Sequence, residues 1–282
     1  MRGRRPSTVR VVLTHMGLVL FTGLTLYPVL WVLKMALTPS QAFTLGVNPW
    51  PTDPSFANFE AVMGLGTEGS LFFRQAFNSI AIASCTAVLG LALSTTAAYA
   101  LSRWNFPGRD RSMQAFLVTQ MFPGVVMAIP LYILLDLLGL LDTLTGLILV
   151  YSTTSVPFSV WMLKGYFDTI PTDLEEAARL DGASRWMTFT HIILPLARPA
   201  LAVTGLFSFM TAWNEFILAA TFLNDRSSFT LPVVLQRYVS DYGTEWGHFA
   251  AGAVLVSLPV MLLFFVLQKH FVEGLTAGSV KG

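Results

Sequence analysis

Long uncharged runs alternate with shorter polar segments along this chain. A helix that crosses a bilayer needs about 20 mostly apolar residues. Five runs of this length contain no Asp, Glu, Lys or Arg, namely 11–33, 75–102, 112–135, 143–163 and 246–268. A sixth run, 199–224, is interrupted only by Glu215. The pattern therefore predicts an all-α membrane protein with six transmembrane helices.

The composition agrees with a chain embedded in lipid. Hydrophobic residues make up 54% of the 282 residues, charged residues make up 12%, and the mean hydropathy is +0.63. Soluble domains carry about 25% charged residues, so a share of half that size argues against a water-soluble fold. The net charge of +1 gives no electrostatic footprint for nucleic acid. We interpret the whole chain, 1–282, as one transmembrane domain.

The distribution of positive charge predicts the orientation of the spans. If the N-terminus lies in the cytoplasm, 13 of the 17 Lys and Arg residues fall in inner segments and four in outer segments. Cytoplasmic loops carry such an excess of positive charge, so both termini are predicted to be cytoplasmic. The outer loops are then 34–74 and 225–245, and the inner segments are 103–111, a long loop at 164–198 and a tail at 269–282.

The long inner loop, 164–198, holds a predicted helix followed by a turn. Thr172 and Glu175 have the spacing of a capping box, which predicts the start of a helix. Asp181 and Gly182 predict a turn, because glycine adopts backbone angles that other residues avoid.

A second short helix is predicted to begin near Ser184, run to about Ile193 and end at Pro195. Two interpretations of this helix–turn–helix loop are open on physical grounds. One is a solvated connector, as most such loops are. The other is a docking surface for a partner protein, because Ala177 and Ala178 let another backbone approach closely while flanking charges fix the orientation.

The same loop resembles a known family signature. It matches without gaps the pattern E-A-A-x3-G-x9-I-x-L-P of bacterial ABC importer permeases, at Glu176, Ala177, Ala178, Gly182, Ile192, Leu194 and Pro195. The tail from Gly274 to Gly282 closely resembles that of maltose-transporter permeases of the MalG type. Other segments look like the carbohydrate branch of the family, namely Phe77–Ser79, Tyr99–Arg103, Phe106–Arg109 and Trp213–Phe216.

This resemblance implies a type I, MetI-like permease fold in which the inner loop forms a coupling helix. In that family the coupling helix sits in a cleft of a cytoplasmic ATPase and passes the closure of the ATPase dimer to the spans. The implied coupling residues are Glu175, Glu176, Ala177, Ala178, Asp181 and Gly182. The family's tail reaches the ATPase dimer interface, which implies ATPase contacts for Gly278, Ser279, Lys281 and Gly282.

The resemblance also implies partners. The family combines two different permeases, two ATPase subunits and an extracytoplasmic sugar-binding protein, so a second, MalF-like permease is expected beside this chain. No G-x-x-x-x-G-K-[ST] motif occurs, so the chain is not expected to hydrolyse ATP itself. ATP and Mg would bind to the partner ATPase, and we expect no cofactor, metal site or catalytic residue in this chain.

Polar side chains within spans are costly and usually face the bundle interior or an aqueous path. The candidates for a translocation path are Asn78, Gln120, Asn214 and Glu215. For Glu215, a path or inter-subunit role and a structural hydrogen bond are both open. Pro123, Pro130, Pro157 and Pro259 are predicted to kink their spans.

Together these features predict a permease subunit of an ABC importer in a bacterial cytoplasmic membrane. The resemblance implies a sugar or oligosaccharide as cargo, with maltose, maltodextrin or trehalose favoured, moved by alternating access. An ion- or proton-coupled secondary transporter is the alternative that Glu215 suggests, although no internal repeat typical of that class is found. A membrane-embedded enzyme would need clustered carboxylates or histidines, and the four histidines are scattered.

Overall fold

The computed structural model describes residues 8–43, 46, 48–65, 69–240 and 243–279, and most of them are helical. The first helices are α1 (Thr8–Leu37), α2 (Ala57–Met63), α3 (Gly69–Arg103), α4 (Arg109–Met121), α5 (Gly124–Leu137), α6 (Leu144–Phe167) and α7 (Asp173–Leu180). They are followed by α8 (Arg185–Thr188), a π-helical turn (Phe189–Ile193), α9 (Leu194–Leu196), α10 (Arg198–Asn214), α11 (Ile217–Phe222), α12 (Leu231–Gln236) and α13 (Trp246–Ser279). A short antiparallel pair, β1 (Val239–Ser240) and β2 (Gly243–Thr244), precedes α13.

Within the described residues, α1, α3, α6 and α13 are long and apolar enough to cross a membrane. Two further helix pairs pass the same test together but bend sharply at a short break, so up to six spans are present. Helices suit a lipid environment because each satisfies its own backbone N–H and C=O groups. The predicted all-helical membrane fold is confirmed.

The predicted third span, 112–135, is not a single straight helix. α4 ends at Met121, Phe122 and Pro123 are extended, and α5 begins at Gly124 at an angle of 100° to α4. Proline has no N–H to donate, and it disfavours a helical conformation in the residue before it. The kink predicted at Pro123 is therefore a complete break.

The predicted fifth span, 199–224, is also interrupted, which corrects the expectation of one continuous helix. α10 ends at Asn214, Glu215 is extended, and α11 begins at Ile217. The Glu215 carboxylate accepts hydrogen bonds from N–H groups in the first turn of α11, which stabilises the break. A bend of 78° separates the helical segment Arg185–Leu196 from α10.

The described chain divides into two compact units. The first contains the described residues up to Phe72 together with Leu235–Ser257, and the second contains Phe73–Val234 and the described residues from Leu258 onward. Each unit has its own apolar core. In the second unit, buried side chains from α3, α6 and the segment before α10 pack together, including Ala98, Leu101, Val160, Leu163, Phe167, Phe189 and Ile193.

In the first unit, Asn58 ties α2 to the end of α1. Its buried side-chain amide donates to the carbonyl oxygens of Ala36 at 3.1 Å and Thr38 at 2.7 Å, and its oxygen accepts from Gln41 Nε2 at 2.7 Å. Carbonyl groups at the end of a helix have no partner within that helix. Asn58 supplies one, and so anchors the predicted outer loop 34–74 to the first span.

Candidate functional site

The predicted coupling loop, 164–198, folds into a helix, a glycine turn and a second helix. Gly182 follows α7 with a φ of +85°, a left-handed conformation that disfavours any residue with a Cβ atom. A Cβ at Gly182 would meet no atom within 4 Å, so the backbone angle and not crowding inside the subunit explains the glycine. The predicted turn is confirmed.

The second helix of the loop begins where the sequence predicts. Ser184 caps it, with the hydroxyl accepting a hydrogen bond from the Met187 N–H at 3.2 Å. The helical path then continues from α8 through the π-helical turn and α9 to Leu196. It therefore ends just after Pro195 and not at it, which corrects the predicted boundary.

The capping box predicted at Thr172 is wrong. Thr172 has helical backbone angles, and its side chain makes no capping hydrogen bond. The Glu175 carboxylate, which a capping box would turn back to Thr172, points instead to α3. One carboxylate oxygen pairs with Arg103 and the other accepts from Tyr99, so the carboxylate is directed to α3 and away from the Thr172 N–H.

α7 has a buried side and an exposed side. Glu175 and Ala178 are buried, and Glu175 is only 2% exposed. Residues three and four apart lie on the same side of a helix, so this side faces the subunit's own bundle. The exposed side of the helix and turn carries Glu176, Ala177, Leu180, Asp181 and Gly182. The predicted coupling residues are thus divided between an inner and an outer side.

Two residues near the end of α3 hold Glu175. Its carboxylate forms a buried ion pair with the Arg103 guanidinium and accepts a hydrogen bond of 2.7 Å from the Tyr99 hydroxyl. Arg103 also donates to the Ile170 carbonyl oxygen at 3.0 Å. The side chains of Arg103 and Glu175 are 8% and 3% exposed, so both charges are removed from water. Loss of Glu175 would leave the buried Arg103 charge uncompensated, which is strongly destabilising. Loss of Arg103 would leave Glu175 with only the exposed guanidinium of Arg179 on α7, at 3.9 Å.

Aromatic rings surround Tyr99 and fix its hydroxyl. The ring centroid of Phe189 lies at 4.7 Å, that of Trp104 at 5.2 Å and that of Phe167 at 6.0 Å. Trp104 and Phe167 meet the Tyr99 ring edge to face, an arrangement that the charge distribution of aromatic rings favours. The hydrogen bond to Glu175 therefore comes from a donor with little freedom to move.

A second polar link joins α3 to the start of the coupling loop. Ser102 Oγ donates to Asp168 Oδ1 at 2.7 Å, and Lys164 Nζ pairs with Asp168 Oδ2 at 2.6 Å. Burial acts to raise the pKa of Asp168, but the hydrogen bonds from Lys164 and Ser102 outweigh it and hold the pKa below its usual value. The loop is thus tied to α3 at both Asp168 and Glu175.

Sequence reasoning did not identify Tyr99 and Arg103 as partners of the coupling loop. The two residues are four apart on α3, so they share one face of the helix. This spacing of a hydroxyl and a guanidinium near the end of an apolar helix is a signal in the sequence. It indicates two polar side chains that bind another part of the same subunit. The sequence contains no indication of which acid they meet.

Two of the four predicted path residues, Asn78 and Glu215, form hydrogen bonds within the subunit, and a third, Asn214, is exposed. The buried side-chain amide of Asn78 donates to the carbonyl oxygens of Ser227 at 2.8 Å and Phe229 at 3.3 Å. Asn214 is exposed at the end of α10. Glu215 accepts from the Leu218 N–H at 2.8 Å and the Ala219 N–H at 3.1 Å, and from the Tyr151 hydroxyl. These contacts favour the structural alternative for Glu215.

Gln120 lines a cavity of about 360 Å³ at the break between α4 and α5. Its Nε2 donates to the Thr154 carbonyl oxygen at 3.2 Å. The cavity carries no charged side chain and is lined by Thr119, Gln120, Phe122, Gly124, Met127, Leu131, Thr153, Thr154 and Leu218. Broken helices in membrane transporters lie beside ligand sites, so this cavity is the candidate ligand site in the subunit.

The last helix extends beyond the predicted sixth span. α13 passes 268 and reaches Ser279, so Gly278 and Ser279 lie on helical backbone. Lys281 and Gly282 lie outside the described residues. Contacts between this tail and an ATPase stay a prediction.

Membrane-length helices, helices broken within apolar segments and a helix–glycine–helix loop anchored on α3 together define a membrane transport permease. The family described as "Binding-protein-dependent transport system inner membrane component" matches residues 88–276. The chain belongs to this family.

Relatives match the chain over almost its full length. It is 38% identical to the maltose/maltodextrin transport system permease protein MalG of Salmonella typhimurium, covering 99% of this chain and 98% of that protein. It is 36% identical to the galactooligosaccharides transport system permease protein GanQ of Bacillus subtilis, covering 97% of this chain and 96% of that protein.

Solved structures share the fold. A chain of a bacterial ABC transporter involved in the import of the acidic polysaccharide alginate has a TM-score of 0.76 and 26% identity, covering 95% of this chain and 99% of that chain. A chain of the MetNI methionine ABC transporter has a TM-score of 0.58 and 17% identity, covering 72% of this chain and 96% of that chain. The predicted MetI-like permease fold is confirmed.

Proposed function

We propose that this chain is a permease subunit of an ABC importer whose cargo is a sugar or oligosaccharide. The observation that carries the proposal is α7, a short helix with one side anchored on α3 and the other side exposed. Such a helix can receive force from a partner on its outer side and pass it to the spans on its inner side. The names of relatives, permeases for maltose/maltodextrin and galactooligosaccharides, support a saccharide cargo. Maltose, maltodextrin or trehalose is the class we favour.

In this proposal the coupling loop and both termini face the cytoplasm of a bacterium, and the chain lies in the cytoplasmic membrane. The excess of Lys and Arg in the inner segments, 13 against four, supports this orientation. The description of the family as an inner membrane component supports the location. The loops 34–74 and 225–245 then face outward, where a binding protein would deliver cargo.

The chain would work with three kinds of partner. An extracytoplasmic sugar-binding protein would deliver the cargo, as the description of the family as binding-protein-dependent supports. A second, MalF-like permease would complete the pore. Two ATPase subunits would bind ATP and Mg and would contact the exposed side of α7 through Glu176, Ala177, Asp181 and Gly182. This chain is then a transport subunit and not the ATPase.

The cavity beside Gln120 is our candidate for the part of the translocation path that this subunit supplies. Hydroxyl and amide groups of Thr119, Gln120, Thr153 and Thr154 line it beside apolar side chains, without charge. Neutral sugars need hydrogen-bonding groups and apolar contact but no opposite charge. The Gln120 amide and the threonine hydroxyls donate to backbone carbonyl oxygens of the subunit, so a sugar would meet their oxygen atoms as acceptors.

The alternative of an ion- or proton-coupled carrier depended on Glu215. Both of its carboxylate oxygens accept backbone N–H groups, and the Tyr151 hydroxyl is a third donor. A carboxylate that carries a proton through a transport cycle must exchange its partners, and a capping carboxylate would lose its helix in doing so. The geometry therefore supports the ABC importer over this alternative.

Co-purification and reconstitution test the proposal. The tagged chain, purified from its native membrane, should retain a second permease and an ATPase with a Walker motif. In liposomes this complex should take up labelled maltose or trehalose only with ATP and the binding protein, and uptake should persist when ionophores dissipate the ion gradients. Uptake that collapses with the gradient and needs no ATPase would overturn the proposal. Binding measurements on the cognate binding protein would identify the sugar.

A further inference from the structure

Glu175 and Glu176 are neighbours on α7, but one lies on its buried side and the other on its exposed side. Glu176 is exposed, whereas Glu175 is 2% exposed and pairs with Arg103 on α3. We propose that Glu175 is a positioning residue, and that its ion pair with Arg103 is the contact through which movement of α7 reaches α3. This inference rests on the proposed function, because it requires an ATPase that moves the coupling helix.

The ion pair joins α7 to α3, although these two helices are not neighbours in the sequence. Through its own backbone, α7 continues only into the ends of α6 and α8. Arg103 and Glu175 lie 72 residues apart in the sequence, so the ion pair links the coupling helix to a distant helix. Movement of α7 can therefore act on α3 directly, without first displacing the intervening helices.

The geometry favours movement of both helices together. The Arg103 guanidinium donates to Glu175, to the Ile170 carbonyl oxygen at 3.0 Å and to Ser102 Oγ at 3.0 Å. A planar guanidinium that donates to three acceptors has little freedom to rotate alone. If α7 moved while α3 stayed in place, the buried Arg103 guanidinium would lose its carboxylate, and Glu175 would keep only the exposed Arg179 of its own helix, 3.9 Å away. Joint displacement avoids that loss.

Tyr99 strengthens the contact from the same helix. Its hydroxyl donates to Glu175 at 2.7 Å, and its ring packs against Phe167 and Phe189. The carboxylate thus meets two donors that are four residues apart on α3, which prevents α7 from pivoting about a single bond.

The test uses the complete complex of both permeases, the ATPase subunits and the binding protein in liposomes. The quantity measured is the number of sugar molecules imported per ATP hydrolysed. Glu175→Gln keeps the shape of the side chain but removes its charge, and the ratio should fall by about tenfold. Tyr99→Phe removes one hydrogen bond and keeps the ring, so a smaller fall is expected. Asp110→Asn, the same kind of change at an exposed acid of α4, should leave the ratio unchanged.

A merely structural role gives a different result. If Glu175 had only a structural role, the variant would give less complex, and both sugar uptake and ATP hydrolysis would fall together. The number of sugar molecules imported per ATP would then stay at the wild-type value. That outcome would overturn the inference. If Glu175→Gln does not assemble, the ratio in Tyr99→Phe decides in the same way. The double variant Arg103→Gln with Glu175→Gln should be no worse than the more impaired single variant, because the contact is already broken. Additive losses in the double variant would also overturn the inference.

The same experiment separates this inference from the proposed function. A wild-type complex without ATP-dependent sugar uptake would contradict the proposed function and this inference together. Normal wild-type uptake, combined with an unchanged ratio in Glu175→Gln, would contradict the role of Glu175 alone.

Discussion

The hydroxyl of Tyr151 on α6 donates a hydrogen bond to the carboxylate of Glu215, which lies 64 residues further along the chain at the break between α10 and α11. The same carboxylate accepts the backbone N–H groups of Leu218 and Ala219. An ionisable side chain is the most expensive kind to place in an apolar segment. Here that side chain stabilises the start of a short helix and thereby determines where the segment is broken.

Glu215→Ala should lower the free energy of unfolding by about 1–3 kcal/mol, because two N–H groups and the Tyr151 hydroxyl lose their acceptor. Thermal unfolding of the purified protein in detergent measures the change. Asn214→Ala is the matched control, since this exposed neighbour should change stability by no more than about 0.5 kcal/mol. Equal melting temperatures for Glu215→Ala and the wild type would contradict the capping role.

Glu176→Lys should uncouple the ATPase from transport, because it reverses the charge on the exposed side of α7 where the ATPase is proposed to dock. We expect ATP hydrolysis stimulated by the sugar-loaded binding protein to fall by about tenfold or more. Insertion into the membrane should be normal, since Glu176 makes no contribution to the buried side. Asp110→Lys introduces the same charge change at an exposed position of α4, outside the coupling loop, and should have a clearly smaller effect. Full stimulation in Glu176→Lys would argue against the docking surface.

Two glycines of α6 should respond differently to alanine. A Cβ at Gly146 would overlap the Leu140 carbonyl oxygen, whereas a Cβ at Gly165 would meet no atom within 4 Å. Gly146→Ala should therefore destabilise the protein by about 1–3 kcal/mol, because the preceding loop must move. Gly165→Ala should be neutral or stabilising by up to about 1 kcal/mol, since alanine is the better helix former. Melting temperatures compare the pair, and a destabilisation of equal size in both would show that the loop contact is unimportant.

The link between Asp168 and α3 should weaken in acid. Folding lowers the pKa of Asp168, so its stabilising contribution is fully present above the unfolded pKa of about 3.9 and is lost as the pH falls through the lower folded value. Asp168→Asn should be less stable than the wild type at neutral pH, and the difference should shrink below about pH 4. The effect is small because the Asp168 side chain is 42% exposed. Unfolding curves at several pH values measure it, and a difference that stays constant with pH would exclude the ionic link.

Sequence pattern predicts the spans well because lipid requires continuous apolar helices, and α1, α3, α6 and α13 follow the uncharged runs. It predicts the breaks less well. Pro123 interrupts the third span, yet Pro157 lies inside a continuous α6. Whether a proline bends or ends a helix depends on whether neighbouring groups satisfy the carbonyl it leaves free. That information lies in the packing of other helices and not in the residue itself.

In the coupling loop too, some features follow from the residue type at one position and others depend on contacts with distant parts of the chain. The positive φ of Gly182 and the cap at Ser184 follow from residue type at one position, and both are predictable. The spacing of Glu175 from Thr172 predicts a local capping role, but the observed partner of Glu175 is Arg103, 72 residues away. A buried ion pair outweighs a local cap only after the helices have packed, so no local pattern could have indicated it.

The coupling loop is tied to α3 at two points, Asp168 through Ser102 and Glu175 through Arg103. The number of residues between Asp168 and Glu175 is therefore constrained as strictly as the identity of these two residues. Successive residues of a helix are about 100° apart around its axis, so inserting or deleting one residue in the first turn of α7, from Asp173, would turn Glu175 away from its partner. The stretch between the two acids should accept many substitutions at its exposed positions but no change in length.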